Sequence, residues 1–267
     1  MIQRQIQSHS SCARPDAAVP SEEIFDLVFL NLPSVWRASL LGHPMELPPP
    51  LPTPSGFLAQ GKIRFCHWWW AKTLTIILSM VTFFTVYFWV LRHPLRPITI
   101  MPLTALDRLI EFQPAALPLY LSLWLYVSLA PTLLIERREL FSYGLAAVVL
   151  SVVGLGIFMI WPTAVPVPAI DWSLYPAFAL LKSADATGNA CPSLHVAFAV
   201  FTAIWFERLL RQLSAGGIIR SINWLWCAGI IYSTVAIHQH VVLDAVAGSA
   251  LGALVAAAHL RWLHRPI

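Results

Sequence analysis

Six long apolar segments dominate residues 67–267 of this chain and limit what it can fold into. Each spans, or nearly spans, the roughly 20 residues that an α-helix needs to cross a membrane. The whole chain is 58% hydrophobic and only 11% charged, whereas soluble domains carry about 25% charged residues. The sequence therefore predicts an all-α integral membrane protein, a six-transmembrane-helix bundle over Thr73–Leu91, Ala115–Ile135, Leu140–Trp161, Cys191–Leu210, Ile222–Ile237 and Val241–Leu263.

Residues 1–66 differ from the rest of the chain in composition. They are polar and rich in proline, and five of the nine residues over 46–54 are prolines. Such runs interrupt helices and strands. We expect a cytoplasmic N-terminal region over residues 1–66, part of it disordered, followed by a six-helix membrane domain over residues 67–267. The first 18 residues lack the apolar core of a signal peptide.

The positive charges indicate how the bundle is oriented. Thirteen of the 17 Lys and Arg residues fall on the side of the N-terminus, and four fall on the opposite side: Arg92, Arg96, Arg108 and Lys182. Because Lys- and Arg-rich loops stay in the cytoplasm, we expect both termini to be cytoplasmic and the protein to lie in a cell inner membrane. These loops account for the formal net charge of +4, so we infer no nucleic-acid partner.

A polar cluster over residues 188–195 precedes the fourth apolar segment. Pro192 suits the first turn of a helix, which would leave the N–H groups of Ser193, Leu194 and His195 free at the positive end of the helix dipole. These groups would bind an anion, Ser193 would add its hydroxyl, and His195 could give a proton to a departing oxygen. The alternative is an ordinary helix start with one interfacial histidine.

A second polar cluster begins the sixth segment. His240 and Asp244 stand four residues apart, on one face of a helix. The carboxylate could hold one imidazole nitrogen as N–H and leave the other as a nucleophilic lone pair; a structural His–Asp hydrogen bond is the alternative. Two membrane crossings separate the clusters, so both meet the same outward face. Three more polar residues are expected to lie around the site and support it: Asn189, Thr234 and His238. The alternative for His238 is a simply exposed side chain.

Together, these clusters resemble a known family. Pro192-Ser193-x-His195 and Ser233-Thr234-x5-His240-x3-Asp244 are similar to the second and third signature motifs of the type 2 phosphatidic acid phosphatase superfamily. The resemblance implies that His240 attacks phosphorus to give a phosphohistidine, that Asp244 orients it, and that His195 protonates the leaving group. Water or an alcohol would then release the phosphoryl group. It also implies a lipid substrate in the bilayer and no cofactor.

Two departures from the family pattern bear on the reaction. The phosphatase branch usually has Ser-Arg where this chain has Ser233-Thr234, and Trp89 stands where its first motif requires a lysine seven residues before Arg96. The Ser193-Leu194-His195 form of the second motif and the missing arginine look more like the inositol-phosphorylceramide synthase and sphingomyelin synthase branch, which transfers phospho-headgroups. Another cation should then balance the phosphate. The outward-side candidates are Arg108, Arg96 and Lys182.

Two other classes of protein fit parts of the pattern. His195, His238, His240 and Asp244 are ligand types that suit zinc in a membrane hydrolase, although a helix-end anion site serves a phosphate better than a cation. A transporter with a polar relay would instead spread its ionisable residues across the membrane. Cys191 has no general base beside it in sequence, so we interpret it as a packing residue.

Overall fold

The computed structural model describes residues 56–178, 181 and 188–263, and most of these residues are helical. Up to residue 55, the predicted N-terminal region lies outside the described residues. Two short strands are β1 (Thr99–Ile100) and β2 (Thr163–Ala164). The α-helices of the described ranges, in chain order, are α1 (Phe57–Cys66), α2 (Trp69–Arg92), α3 (Ala105–Leu109), α4 (Leu117–Leu121), α5 (Leu123–Leu133), α6 (Arg137–Ile160), α7 (Leu194–Gln212), α8 (Gly217–Ala236) and α9 (Val242–Leu263).

Four helical stretches within the described residues are long and apolar enough to cross a membrane. They are α2, the stretch Pro114–Leu133 that contains α4 and α5, α6, and α9. Each overlaps one of the predicted segments. Helices α7 and α8 occupy the places predicted for the fourth and fifth spans and have 19 and 20 residues, but they are less apolar. The prediction of six spans is therefore not confirmed.

Both α7 and α8 bury polar side chains inside the bundle. Helix α7 packs against α5, α6, α8 and α9, and its Phe201 and Trp205 are fully buried. In α8, buried Asn223 accepts a hydrogen bond from the Tyr126 hydroxyl (2.6 Å) and donates one to the Ala203 carbonyl (3.0 Å). A helix surrounded by protein tolerates such residues because neighbouring helices supply partners that lipid cannot.

Two glycines bring α7 and α9 close together. A Cβ added at Gly248 would collide with the carbonyl oxygen of Ser193, and one at Gly252 with the carbonyl oxygen of Ala197. The spacing Gly248-x3-Gly252 thus acts as a helix-packing motif. As a result, the first turns of α7 and α9 lie side by side, and the Ser193 N–H donates to the carbonyl oxygen of Asp244 (3.0 Å).

Three loop segments meet beyond the N-terminal ends of these two helices. Strands β1 and β2 pair in parallel, with Thr99 opposite Thr163, and Ala164 forms an antiparallel bridge with Gly188. The Thr163 hydroxyl oxygen also accepts the Cys191 N–H (2.8 Å). These bonds attach the segment before α7 to the loop that follows α6, and so fix the polar cluster that leads into α7.

Candidate active site

The first polar cluster forms the start of α7. The helix begins at Leu194, with Ser193 as its N-cap, rather than with Pro192 in its first turn. The prediction of a free Ser193 N–H is wrong, because the close approach of α9 lets that N–H donate to Asp244, and the Ser193 hydroxyl accepts the N–H three residues on (3.3 Å). The N–H groups of Leu194 and His195 have no hydrogen-bond partner among the described residues. Two donors for an anion therefore remain.

The ring of His195 is held by the segment 117–124. It stacks on Tyr120 with centroids 3.9 Å apart and planes 5° from parallel, and Trp124 contacts it edge-on at 5.9 Å. Its Nε2 lies 3.1 Å from the Tyr120 carbonyl oxygen, so Nε2 carries hydrogen and donates. Nδ1 is then the ring atom that can exchange a proton with a substrate. Sequence reasoning missed Tyr120 and Trp124, which belong to no motif.

The second cluster keeps His240 and Asp244 together, although not on one helix. Helix α9 begins at Val242, so His240 precedes it, and its Nδ1 lies 3.6 Å from Asp244 Oδ2. The same oxygen accepts the Val241 N–H (3.0 Å) and caps the helix, which supports a structural role for Asp244. Its other oxygen, Oδ1, is buried without a partner among the described residues. Because Nδ1 faces Asp244, Nε2 is the nitrogen of His240 that a substrate can reach.

The turn between α8 and α9 positions His240. The carbonyl oxygen of Thr234 accepts the N–H groups of residues 239 and 240, each at 3.1 Å, so Thr234 supports His240 through its backbone. His238 adopts a φ of 54°, and its ring turns to Phe112 (5.6 Å) and the Ile110 carbonyl oxygen (3.4 Å). The structure thus places His238 against the loop that precedes α4, beside the site rather than in it.

Both histidines border one cavity of about 140 Å³. Leu194 and Asn189 border it as well. Asn189 is buried, has a φ of 53°, and its Nδ2 has no partner among the described residues. A buried amide without a partner calls for an explanation, and a ligand with acceptor oxygens would provide one. The structure therefore brings four of the predicted site residues together around one space.

The cavity wall contains no Lys or Arg among the described residues. Arg108 is exposed at the end of α3 and does not border the cavity, and Lys182 lies outside the described residues. Arg92 is exposed as well and does not border the cavity, but its guanidinium lies 5.9 Å from the ring centroid of Phe88, and Phe88 borders the cavity. Arg92 is thus a candidate phosphate-binding cation that sequence reasoning overlooked.

Asp107 is a further residue that sequence reasoning missed. Its Oδ2 accepts the N–H and the hydroxyl of Thr104 (2.7 and 2.6 Å), and its Oδ1 accepts the N–H of Val242 (2.8 Å). The pattern Thr104-x-x-Asp107 signals a capping box for α3, but nothing in it points to a helix 135 residues away. Asp107 fixes the first turn of α9 and so stabilises the place of the His240–Asp244 pair.

Neither a metal nor a thiol reaction finds support in this geometry. Among the described residues, no three His, Cys, Asp or Glu side chains are grouped closely enough to hold a metal ion, and the ring of His238 turns away from His240. Cys191 is buried. Burial, with Asp244 nearby, raises the pKa of its thiol to about 11, and a protonated thiol is a poor nucleophile and a poor ligand. These contacts favour packing as the role of Cys191.

Residues 138–267 match the model of the PAP2 superfamily. The matched region includes both polar clusters and helices α6 to α9. The match confirms the resemblance at the level of the superfamily and supports a phosphatase or phosphoesterase type of activity on phosphorylated substrates. It does not distinguish the headgroup-transferring branch. The four candidate spans of the described residues agree with a membrane protein. No curated protein and no solved structure matches the chain.

Proposed function

We propose that this protein is a membrane phosphoesterase or phosphotransferase that acts on a lipid phosphate, diphosphate or phospho-headgroup through a phosphohistidine. One observation carries the proposal. His195 and His240 come from different elements yet border one cavity of about 140 Å³. The carboxylate of Asp244 lies 3.6 Å from Nδ1 of His240, and unpaired N–H groups stand at the start of the helix that carries His195. This is the arrangement that a nucleophile, a general acid and an anion site require.

The first half-reaction uses each group once. His240 Nε2 attacks phosphorus, and the N–P bond forms as the ester P–O bond breaks. His195, protonated on both nitrogens, gives the Nδ1 proton to the leaving oxygen. Asp244 holds the Nδ1–H of His240 and balances the positive charge on that ring. The N–H groups of Leu194 and His195 and the amide of Asn189 bind the phosphate oxygens.

The second half-reaction decides between hydrolysis and transfer. His195 takes a proton from water or from a lipid alcohol, whose oxygen attacks phosphorus and breaks the N–P bond. Water gives inorganic phosphate, and an alcohol gives a new phosphoester. Thr234 stands where the phosphatase branch usually carries arginine, and this departure favours transfer, as in the inositol-phosphorylceramide and sphingomyelin synthase branch.

We further propose that α7 and α8 cross the membrane, giving six spans with the site at the outward face of an inner membrane and both termini cytoplasmic. The charge distribution along α7 supports this. Its N-terminal end holds the site, whereas the opposite end carries Arg208, paired with Glu139 (2.9 Å), and Glu207, paired with Arg211 and Arg220 (2.7 and 2.6 Å). Such pairs allow a helix end at an interface to carry charge.

The test uses purified protein in detergent with EDTA and a panel of lipid phosphates, diphosphates and phosphodiesters. We expect His240→Gln and His195→Gln to lose at least 100-fold in kcat, and wild type alone to accumulate an acid-labile, base-stable phosphoprotein. His238→Gln is the matched control and should retain activity, because its ring faces Ile110. Adding diacylglycerol or ceramide separates transfer from hydrolysis. An active His240→Gln protein would refute the phosphohistidine.

A further inference from the structure

Helix α1 is attached to the end of the bundle that lies opposite the two histidines. The Arg64 guanidinium of α1 donates to the carbonyl oxygen of Leu133 at the end of α5 (3.4 Å). The buried ammonium of Lys72, near the start of α2, donates to the carbonyl oxygens of Arg64 (3.0 Å) and Thr132 (2.8 Å). Because cations are favourable at the C-terminal ends of helices, these bonds hold α1 against the start of α2 and the end of α5.

This end of the bundle carries an excess of positive charge. Within the described ranges it holds three Glu and the following nine cations: Lys62, Arg64, Lys72, Arg137, Arg138, Arg208, Arg211, Arg220 and Arg261. The end with the histidines holds three Arg and four Asp or Glu in the same ranges. The first two arginines of α7 and the arginine of α8 are paired with glutamates. Lys62, Arg137 and Arg138 are exposed and form no ion pair with another described residue, so their charge is open to an anionic partner.

Exposed apolar side chains accompany these charges. Leu58 and Phe65 of α1 and Trp69 of α2 are each more than half exposed. The Arg137 guanidinium lies 3.8 Å from the ring centroid of Trp68, which brings the start of α6 beside the α1–α2 junction. Helix α1, residues 67–70 and the first turn of α6 thus form one surface, the α1–α6 surface. Tryptophan rings beside Lys and Arg are typical of the interface between a membrane and water.

The α1–α6 surface lies at the ends of three candidate membrane spans. Helix α2 begins at Trp69, the stretch Pro114–Leu133 ends beside α1, and α6 begins at Arg137. Residues at the ends of spans lie at the depth of the lipid headgroups. An acidic protein would complement the charge and leave the exposed tryptophans in water, whereas a phospholipid leaflet accounts for both the charge and the rings.

We propose that the α1–α6 surface binds the headgroups of anionic phospholipids. Lys62, Arg137 and Arg138 contact the phosphate oxygens, and the exposed apolar side chains lie at the boundary with the acyl chains. A Lys or Arg close to an anionic leaflet strengthens binding about fivefold. The inference does not depend on the proposed reaction, because no residue of the α1–α6 surface borders the cavity between the histidines.

The experiment measures which lipid the purified protein retains. Protein in detergent is incubated with equal amounts of dioleoylphosphatidylglycerol and dioleoylphosphatidylcholine and washed, and the retained lipids are quantified by mass spectrometry. Wild type should retain phosphatidylglycerol in excess. The double variant Lys62→Gln, Arg138→Gln should lower the ratio of the two lipids about 10-fold or more. The matched control is Arg96→Gln, Arg108→Gln, which removes two exposed arginines from the opposite end and should keep the wild-type ratio.

A second variant separates lipid binding from damage to the fold. Lys62→Arg, Arg138→Lys keeps both charges and should keep the wild-type lipid ratio. Salt should lower the phosphatidylglycerol preference of wild type more than that of Lys62→Gln, Arg138→Gln, because it screens exposed charges. Equal lipid ratios in wild type and Lys62→Gln, Arg138→Gln would overturn the proposal. Equal losses in that variant and in Arg96→Gln, Arg108→Gln would also overturn it, as would a loss in the charge-conserving variant.

Discussion

Replacing Gly248 with alanine tests how strictly the α7–α9 crossing positions the site. The new Cβ would lie 3.2 Å from the Ser193 carbonyl carbon and closer still to its oxygen, a backbone atom that cannot turn aside. The two helices must therefore move apart by about 1 Å, a displacement that can lower a rate about 100-fold, equivalent to about 2.7 kcal/mol. We expect such a loss in kcat, because the shift separates Asp244 from the start of α7.

Three other glycines provide the controls. Gly252→Ala produces the same kind of collision one turn further from the site, against the Ala197 carbonyl oxygen. It should destabilise the protein by about 1–3 kcal/mol with a smaller loss of kcat. Gly144 and Gly156 in α6 have nothing within 4 Å of an added Cβ, so alanine there should leave activity unchanged and raise stability by up to about 1 kcal/mol. Thermal melting and kcat are measured in one detergent. Wild-type activity in Gly248→Ala would refute the reasoning.

Two further predictions concern the charge and the thiol near the cavity. If Arg92 supplies the positive charge that the cavity wall lacks, Arg92→Gln should raise KM for a lipid phosphate about 10-fold. Arg108→Gln should leave KM unchanged. Equal changes of KM in the two variants would show that another cation binds the phosphate. Since the pKa of Cys191 is about 11, its thiol stays protonated at pH 8. Maleimide should not inactivate the folded protein at that pH, and Cys191→Ser should retain activity. If maleimide inactivates wild type rapidly and does not inactivate Cys191→Ser, the packing role of Cys191 is contradicted.

Patterns that depend on neighbouring residues could be predicted from the sequence. Four of the apolar segments are helices of spanning length and apolarity, because hydrophobic runs bounded by polar loops define such helices locally. The meeting of His195 and His240 at one cavity could also be expected, since the two crossings predicted between them would return the chain to the same face. The hydrogen bonds at the helix starts could not be predicted from the sequence. The N–H of Ser193 is used by Asp244, a bond that depends on how closely α9 approaches.

Contacts between distant segments required the structure. Asp107 binds the first turn of α9 and Tyr120 binds His195, and no sequence pattern at either position points to these distant partners. Hydropathy also leaves open whether α7 and α8 cross the membrane, because a helix at the centre of a bundle can satisfy polar residues such as Asn223 against its neighbours. Hydropathy alone therefore reports which helices face lipid more directly than which helices cross it.

The two signature clusters depend on each other through one crossing. Gly248 lets the backbone of Ser193 approach α9, and this approach allows the Ser193 N–H to reach the Asp244 carbonyl oxygen. The bond uses a donor that could otherwise bind phosphate, and it fixes the start of α7, which carries His195, relative to the start of α9, which follows His240. In the proposed mechanism His195 and His240 act on opposite sides of one phosphorus atom, so a fixed separation between α7 and α9 would matter more to that reaction than a third N–H in the anion site.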